Sequence, residues 1–276
     1  QNRELIAALE TDFAAHGLDL PVYWGNRNWH PYLPDALRQM ANDGVRRALA
    51  LFTTAYSSYS SCRQYREDIE RAQAEVGLDA PEVHKLRVFY NHPGFIAPNV
   101  ENLRRAFDRL PENGRAAAPL IFSAHSLPLG MAHNSNYEAQ LHETCRLVAE
   151  GVGRAEWDLV FQSRSGPLHQ PWLEPDVCDH LAVLHQRGVT DVVVIPIGFI
   201  SDHMEVVYDL DTQAQEKADE LGLNLIRAAT VGVHPLFISM IRELVLERMT
   251  SYPARRYVGT HGPSHDICPQ DCCLPG

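Results

Sequence analysis

Two kinds of apolar segment alternate along this chain. Short β-branched runs such as Val192–Ile195 are typical of strands in a parallel sheet that is covered on both faces. Longer segments such as Arg3–Phe13 carry their apolar residues along one stripe, as an amphipathic helix does. The alternation of the two kinds predicts an α/β fold with parallel sheets flanked by helices.

The pattern repeats in both halves of the chain and therefore predicts two doubly wound Rossmann-like domains that face each other across a central cleft. We assign residues 1–115 to the first domain, 116–250 to the second and 251–276 to a cysteine-containing tail. Strands are predicted at 20–24, 45–53, 86–90, 119–123, 158–162, 190–197 and 223–229. Helices are predicted at 3–13, 34–43, 61–75, 100–110, 135–150, 175–187, 202–221 and 235–250.

Composition narrows the function classes. The chain has 276 residues, of which 45% are hydrophobic, so it is long enough to form two ordinary cores. A net charge of −11 argues against a nucleic-acid partner. No apolar run approaches the ~20 residues that a transmembrane helix needs. Six cysteines suggest a reducing compartment, so we expect a cytoplasmic protein. Oligomeric state and peripheral membrane contact stay open.

Two predicted strand ends carry side chains that suit metal or proton chemistry. His125 follows the strand at 119–123, and Glu205 follows the strand at 190–197. Asp202 with Glu205 forms a capping-box pattern, which predicts that a helix starts there with Glu205 and Asp209 on one face. Ligands of open α/β sheets bind at such strand ends, and an imidazole opposed to a carboxylate can hold a divalent metal or pass protons. Taken singly, Glu205 could be a capping residue, His125 a core histidine and Asp209 part of a solvated face.

The amino-acid sequences around His125 and Glu205 resemble those of the ferrochelatase family. The segments that carry the resemblance are 23–31, 56–65, 122–128, 162–167 with Trp172–Leu173, and 196–211. They occur in the family's order from the first residue to about Met249, and the first two are similar to actinobacterial members. The family has an earlier segment with a first strand and a Gly-Gly-Pro loop, so we expect this chain to be part of a longer protein.

The resemblance implies that the protein inserts Fe²⁺ into a free-base porphyrin, in domains of the chelatase type. It implies that His125 is the metal-facing base, that Glu205 is its partner, and that Asp209 continues a carboxylate line for metal delivery or proton exit. Asp202 and His203 are weaker candidates. The family's next acidic position on that line is Gln213 here, which puts an extended acidic path in doubt.

The porphyrin also needs an apolar slot and cations for its propionates. By resemblance, Arg27 and Tyr65 match positions that face the cleft, whereas Arg63 and Arg66 are expected to be solvated. Trp172 is expected either to pack on the ring or to fill a domain interface. The subgroup resemblance implies coproporphyrin III, with four propionates, as the substrate, and the alternative is protoporphyrin IX, with two.

The tail carries a separate signal, because Cys268, Cys272 and Cys273 lie within six residues. An iron–sulfur cluster takes four thiolates, and Cys145 is the candidate for the fourth. Actinobacterial ferrochelatases resemble this arrangement, with one mid-chain cysteine and three in the tail around a [2Fe–2S] cluster. Read alone, Cys145 could be a small apolar residue on a buried stripe.

Other interpretations stay open at this point. Structural zinc is the alternative to the cluster, since His261 and His265 lie just upstream of the tail cysteines. Cys62 and Cys178 have no partner at useful spacing and are expected to be structural. A non-catalytic tetrapyrrole-binding protein, or a chelatase for cobalt or nickel, would be built on similar features. The sequence of Ser201–Glu205 and the cysteines of the tail favour iron and porphyrin as the substrates.

Overall fold

The computed structural model describes residues 1–167 and 169–276, and it confirms an α/β fold with parallel sheets flanked by helices. The strands are β1 (Arg47–Ala50), β2 (Glu82–Lys85), β3 (Leu120–His125), β4 (Asp158–Gln162), β5 (Asp191–Ile195) and β6 (Asn224–Arg227). The α-helices are α1 (Asn2–Ala15), α2 (Leu33–Asn42), α3 (Gln64–Val76), α4 (Pro93–Asp108), α5 (Glu112–Arg115), α6 (Leu129–His133), α7 (Tyr137–Gly151), α8 (Val177–Gln186), α9 (Met204–Val206), α10 (Gln215–Leu221) and α11 (Pro235–Met249). Two π-helical segments, π1 (Tyr59–Arg63) and π2 (Val207–Ala214), precede α3 and α10.

The second half of the chain builds a four-stranded parallel sheet in the order β4-β3-β5-β6. Its two central strands are covered on both faces, and the side chains of Leu120–Ala124 and Val192–Ile195 are buried. This burial explains why both strands read as continuous apolar runs rather than as alternating ones.

The first half forms a smaller sheet in which β1 pairs in parallel with β2. Among the described residues, the predicted strand at 20–24 pairs with no neighbour, so that prediction is wrong. The predicted strand at 86–90 also lies outside the ladder, which ends at Lys85. Its apolar side chains are instead buried by helices, since the ring of Phe89 packs against Phe95 of α4 and Phe237 of α11.

Helix α4 begins at Pro93, seven residues before the predicted start at Val100. The Nδ1 atom of His92 accepts a hydrogen bond from the backbone N–H of Gly94 at 3.0 Å, and Pro93 occupies the first helical position. The helix contains an internal Pro98, and proline removes one helical hydrogen bond. Tertiary packing of a mostly buried helix outweighs that loss.

Helix α11 packs against α1 and α4. Both of these helices lie within residues 1–115, the range predicted as the first domain. The guanidinium of Arg242 pairs with Asp12 at 2.7 Å, and Arg87 makes a bidentate pair with Glu247 at 2.7 and 2.8 Å. We therefore propose that 235–249 belongs structurally with the first domain, while the division near residue 115 stays a prediction.

The tail follows α11 back across the protein surface and is held by main-chain contacts. The backbone N–H of Val258 donates to the carbonyl of Asn91 at 2.9 Å, and the N–H of Thr260 donates to the buried carboxylate of Glu143 at 3.0 Å. These contacts bring the tail cysteines back toward the first half of the chain. Within the described residues, no helix combines the length and the apolar composition that crossing a membrane requires.

Candidate active site and cysteine cluster

The candidate active site lies at the carboxyl ends of three adjacent strands. His125 is the last residue of β3 and is in register with Gln162, the last residue of β4. Glu205 lies in α9, which follows β5, the other neighbour of β3. Strands β3 and β5 are hydrogen-bonded neighbours, and this adjacency brings the imidazole and the carboxylate together.

The Nε2 atom of His125 lies 3.0 Å from Oε1 of Glu205, and both side chains are partly exposed. The other ring nitrogen, Nδ1, is in very short contact with the carbonyl of Ser126, so it carries a proton and donates it. A neutral His125 therefore presents the Nε2 lone pair to the carboxylate. Two lone pairs at this distance need a shared proton or a cation between them, which suits the site for protons and for a metal.

The pKa values of the pair reflect this contact. Burial alone would lower the pKa of His125, but hydrogen bonds to Glu205 and to the Ser126 carbonyl raise it above 6.5. The hydrogen bond from His125 lowers the pKa of Glu205 below 4.5, against the opposing effect of burial. The contact thus favours the ion pair of an imidazolium and a carboxylate over the isolated groups.

The helix that carries Glu205 starts differently from the prediction. Its N-cap is His203, whose Nδ1 accepts a hydrogen bond from the N–H of Val206 at 3.2 Å. Asp202 does not cap it, because the Asp202 carboxylate forms an ion pair with Arg227 at 2.9 Å. The capping-box prediction is therefore wrong, and the cation on β6 is the competing partner that the sequence pattern did not reveal.

Asp209 lies in the π-helical segment π2 and not in a regular α-helix. Its side chain is only 8% exposed, so it is not part of a solvated face. Its Oδ2 atom accepts hydrogen bonds from Nε2 of Gln162 at 3.2 Å and from the Ser163 hydroxyl. A π-helical turn widens the helix by one residue, and such turns are frequent at functional sites.

Two further residues shape the His125 end of the site and were missed by sequence reasoning. The hydroxyl of the buried Tyr137 donates to the main-chain carbonyl of His125 at 2.9 Å. Gly198 donates its N–H to the carbonyl of Ser123 at 3.1 Å and lies against the backbone of β3. A glycine directly after a buried strand is a signal for such a close approach, whereas nothing in the sequence indicates the role of Tyr137.

The predicted porphyrin-binding residues fall into two groups. Arg27 lies over the ring of Tyr65, 4.9 Å from its centroid, and its Nε is 2.5 Å from the carboxylate of Asp68. Tyr65 in turn stacks on Phe52. Trp172 belongs to the other half of the chain, where its backbone pairs with Pro128 on the loop after His125. Within the described residues, the buried indole N–H of Trp172 has no hydrogen-bond partner.

Arg63 is not simply solvated, as the sequence suggested. Its guanidinium donates to the main-chain carbonyls of Gln270 at 2.9 Å and Cys272 at 3.2 Å. This arginine therefore ties the cysteine-containing tail to the start of α3.

The tail cysteines gather around Cys62 rather than around Cys145. Cys62 lies in π1 and is in hydrogen-bonding range of Cys268, while the sulfurs of Cys272 and Cys273 are 3.4 Å apart. The side chains of His265, Cys268 and Cys272 offer ligand atoms that all lie within 4.8 Å of one another. Four cysteines from two distant parts of the sequence thus meet at one place.

Cys145 is placed in the hydrophobic core of α7, fully buried together with Leu141 and Val148. Burial raises the pKa of its thiol well above the usual range, and its neighbours there are apolar side chains. The structure therefore places Cys62, and not Cys145, beside the tail cysteines. Cys145 thus has the surroundings of a small apolar residue on a buried stripe. Spacing along the sequence could not show which of Cys62 and Cys145 lies near the tail cysteines.

The electrostatics of the cluster favour thiolate character at one sulfur. A hydrogen bond from Cys62 lowers the pKa of Cys268 to about 4, and the charges of Lys85 and Arg66 act in the same direction. The pKa of Cys62 is raised because it is the donor in this pair. Burial raises the pKa of Cys273 to about 12. A bound cation would be needed to deprotonate all four.

Comparison with solved structures places the fold in a class. SirB from Bacillus subtilis, solved with Fe3+, superposes with a TM-score of 0.58 over 91% of this chain and 92% of its own, at 14% sequence identity. The sirohydrochlorin chelatase SirB from Bacillus subtilis subspecies spizizenii, solved with cobalt, gives a TM-score of 0.56 at 14% identity, over 89% of this chain and 88% of its own. At this identity the likeness shows the fold, which is that of the chelatases.

The sequence comparisons are more specific. The profile of the ferrochelatase family matches residues 1–249. A ferrochelatase of Rhodopirellula baltica is 53% identical over 99% of this chain and 78% of its own length. A coproporphyrin III ferrochelatase of Streptomyces griseus is 51% identical over 99% of this chain and 79% of its own. The chain belongs to the ferrochelatase family, whose members are lyases that insert ferrous iron into a porphyrin during haem biosynthesis.

Proposed function

We propose that this chain inserts Fe²⁺ into coproporphyrin III, with His125 and Glu205 as the groups that face the metal and handle the displaced protons. The observation that carries the proposal is the 3.0 Å contact between the two side chains at adjacent strand ends. Nitrogen and oxygen donors of this kind bind Fe²⁺ more weakly than thiolates do, so the site can release the metal to the ring.

Metal insertion exchanges one Fe²⁺ for two pyrrole protons, so the site must accept both. Neutral His125 takes a proton at Nε2, because Nδ1 already donates to the Ser126 carbonyl. The resulting imidazolium is stabilised by Glu205, whose carboxylate lies within hydrogen-bonding distance. Asp209 is the next carboxylate along this line, and it takes the first proton onward, so that His125 is neutral again and can accept the second.

Support for coproporphyrin III comes from the relatives and from the first domain. The similar protein of Streptomyces griseus is named a coproporphyrin III ferrochelatase. Arg27, stacked on Tyr65, presents a cation in the first half of the chain. A substrate with four carboxylates gains more from such cations than one with two. A propionate at Arg27 would have to compete with Asp68 for the same guanidinium.

Anaerobic assays with Fe²⁺ and each porphyrin test the function. We expect the free-base absorbance to be lost with a higher kcat/KM for coproporphyrin III than for protoporphyrin IX. A clear preference for protoporphyrin IX would overturn the substrate assignment. Tight porphyrin binding without insertion would instead indicate a carrier, and insertion of cobalt or nickel but not iron would indicate another chelatase.

We also propose that Cys62, Cys268, Cys272 and Cys273 hold a [2Fe–2S] cluster. The donor set fits, because such clusters are held by four cysteine thiolates and four cysteine sulfurs meet here beside Arg66 and Lys85. When bound, the cluster supplies a covalent link between the tail and π1 together with one-electron redox capacity. Zinc is the alternative, with His265 as one ligand.

The isolated protein distinguishes the two metal centres. We expect a red-brown protein with two iron and two sulfide ions per chain, as the cluster formula requires. Colourless protein with one zinc ion per chain would show that the zinc alternative is right. We further propose a cytoplasmic location, supported by six cysteines that are all free thiols, as is typical of a reducing compartment.

A further inference from the structure

Ser163 has an unusual backbone conformation at the edge of the active site. It follows β4 directly, and its φ angle is +61°. Among the described residues other than glycine, only Ser163 and Cys273 have a positive φ. The left-handed region is unfavourable for an L-residue with a Cβ atom, and serine is not among the types that adopt it routinely. Such outliers cluster at functional sites.

This backbone turn brings two consecutive side chains onto one atom. Gln162 and Ser163 both donate hydrogen bonds to Oδ2 of Asp209. In a regular strand, successive side chains point to opposite faces of the sheet, so they could not reach the same oxygen. The left-handed residue ends the alternation and turns the hydroxyl toward the face that Gln162 already occupies.

The same hydroxyl contacts both carboxylates of the site. Its single proton is donated to Asp209, and the Glu205 carboxylate lies beside the same hydroxyl oxygen. Glu205 and Asp209 lie in different helical segments, α9 and π2, and Ser163 is on a separate loop. One hydroxyl directly after β4 therefore lies between the metal-facing carboxylate and the next carboxylate of the line.

We propose that Ser163 is a positioning residue for metal insertion, and that its left-handed turn serves to hold Glu205 and Asp209 at a fixed separation. This inference rests on the proposed function of the His125–Glu205 pair. Ser163 acts through the carboxylates and does not itself touch the metal or the ring. Residues that orient metal ligands in this way typically contribute about 10–100-fold to metal affinity or activity.

Four substitutions separate the hydroxyl from the backbone turn. Ser163→Gly accepts the left-handed conformation and removes the hydroxyl, whereas Ser163→Ala removes the hydroxyl and is also strained. Ser163→Asn tolerates the conformation and keeps a hydrogen-bond donor, and Ser163→Thr keeps the hydroxyl but disfavours the turn. Ser165→Ala, at an exposed position of the same loop, is the matched control.

We expect Ser163→Gly to lower kcat by about 10–100-fold with an unchanged porphyrin KM and an unchanged Tm. Ser163→Asn should recover part of that loss relative to glycine, and Ser163→Ala should lose Tm in addition. A kcat within about twofold of wild type in Ser163→Gly, or a loss confined to KM, would overturn the proposal.

Binding of Co²⁺ alone, followed by its visible spectrum, provides a readout that does not need turnover. We expect His125→Ala to abolish the Co²⁺ signal and Ser163→Gly to weaken Co²⁺ binding by about 10–100-fold. If wild type binds Co²⁺ in this way but inserts no iron into any porphyrin, the proposed function fails while Ser163 is still tested. If Ser163→Gly binds Co²⁺ like wild type, the positioning role is wrong.

Discussion

Gly198 lies so close to Ala124 that a Cβ atom built on the glycine would be 2.7 Å from the Ala124 Cα. The loop after β5 therefore crosses the end of β3 at backbone-to-backbone distance, one residue before His125. The same loop leads on to Glu205. This contact sets the distance between the loop and the strand. It thereby sets the separation of the His125 and Glu205 side chains.

Gly198→Ala should disturb that separation. We expect the loop to move away from β3, with a loss of about 1–3 kcal/mol in the free energy of unfolding and about 100-fold in kcat. Denaturant melts and initial rates measure the two effects. Gly188→Ala is the control, since its φ of +79° makes alanine unfavourable there while nothing lies within 4 Å of the added Cβ. Equal activity in both variants would contradict the role assigned to Gly198.

His125→Ala and Glu205→Gln should each reduce iron insertion by at least about 100-fold, because each removes a group that handles the proton or the metal. Both side chains are partly exposed, so circular dichroism should remain close to that of wild type and any loss of Tm should be small. Discontinuous absorbance assays with coproporphyrin III measure the rate of iron insertion. Near-normal turnover in either variant would refute the catalytic assignment.

The pH dependence of stability reports the ion pair. Because the pKa of His125 is raised above 6.5, its contribution is complete below that pH and is lost as the pH rises through the raised pKa. Because the pKa of Glu205 is lowered below 4.5, its contribution is present above that pH and is lost as the pH falls through the lowered pKa. The Tm difference between wild type and Glu205→Gln should therefore be largest between pH 4.5 and 6.5.

The same shift should appear in the titration of His125. Nuclear magnetic resonance of labelled histidine should give a lower pKa for His125 in Glu205→Gln than in wild type, since the neutral amide no longer stabilises the imidazolium. An unchanged or higher pKa would mean that the contact between the two side chains is not maintained in solution.

Arg27→Gln should raise the KM for coproporphyrin III more than it lowers kcat, because a propionate contact is made equally in the ground and transition states. The effect should be smaller for protoporphyrin IX, which has fewer carboxylates. Arg38→Gln, an exposed cation on α2, is the control for a general change in charge. A fall in kcat with constant KM would remove Arg27 from the porphyrin-binding set.

Cys62→Ser should abolish the visible absorbance of the cluster and release the tail, whereas Cys145→Ser should leave the absorbance unchanged. The reason is position, since Cys62 lies beside Cys268 and Cys145 lies inside the core. Absorbance, electron paramagnetic resonance after reduction and iron content measure the outcome. Loss of the cluster in Cys145→Ser with an intact cluster in Cys62→Ser would restore the ligand set first expected from the sequence.

Much of the site was predictable from the chain alone. The parallel core strands, the helices between them and the placement of His125 and Glu205 at strand ends follow from local patterns, because a doubly covered strand must be continuously apolar. The segments that resemble ferrochelatases then indicated the reaction. Each of these features depends on a few consecutive residues, and the predictions from adjacent segments agreed with one another.

Tertiary structure decided what depends on competition between distant partners. Arg227 draws Asp202 away from the helix start that its capping pattern predicted. The contact of Cys62 with Cys268 arises from how the tail folds back, whereas Cys145 is buried in the core under α7, and spacing along the chain shows neither. The left-handed turn at Ser163 likewise persists because Asp209 and Glu205 hold its hydroxyl from other segments. Local sequence can specify a strand or a helix, but the partner of a charged or polar side chain is settled by the long-range packing that brings the segments together.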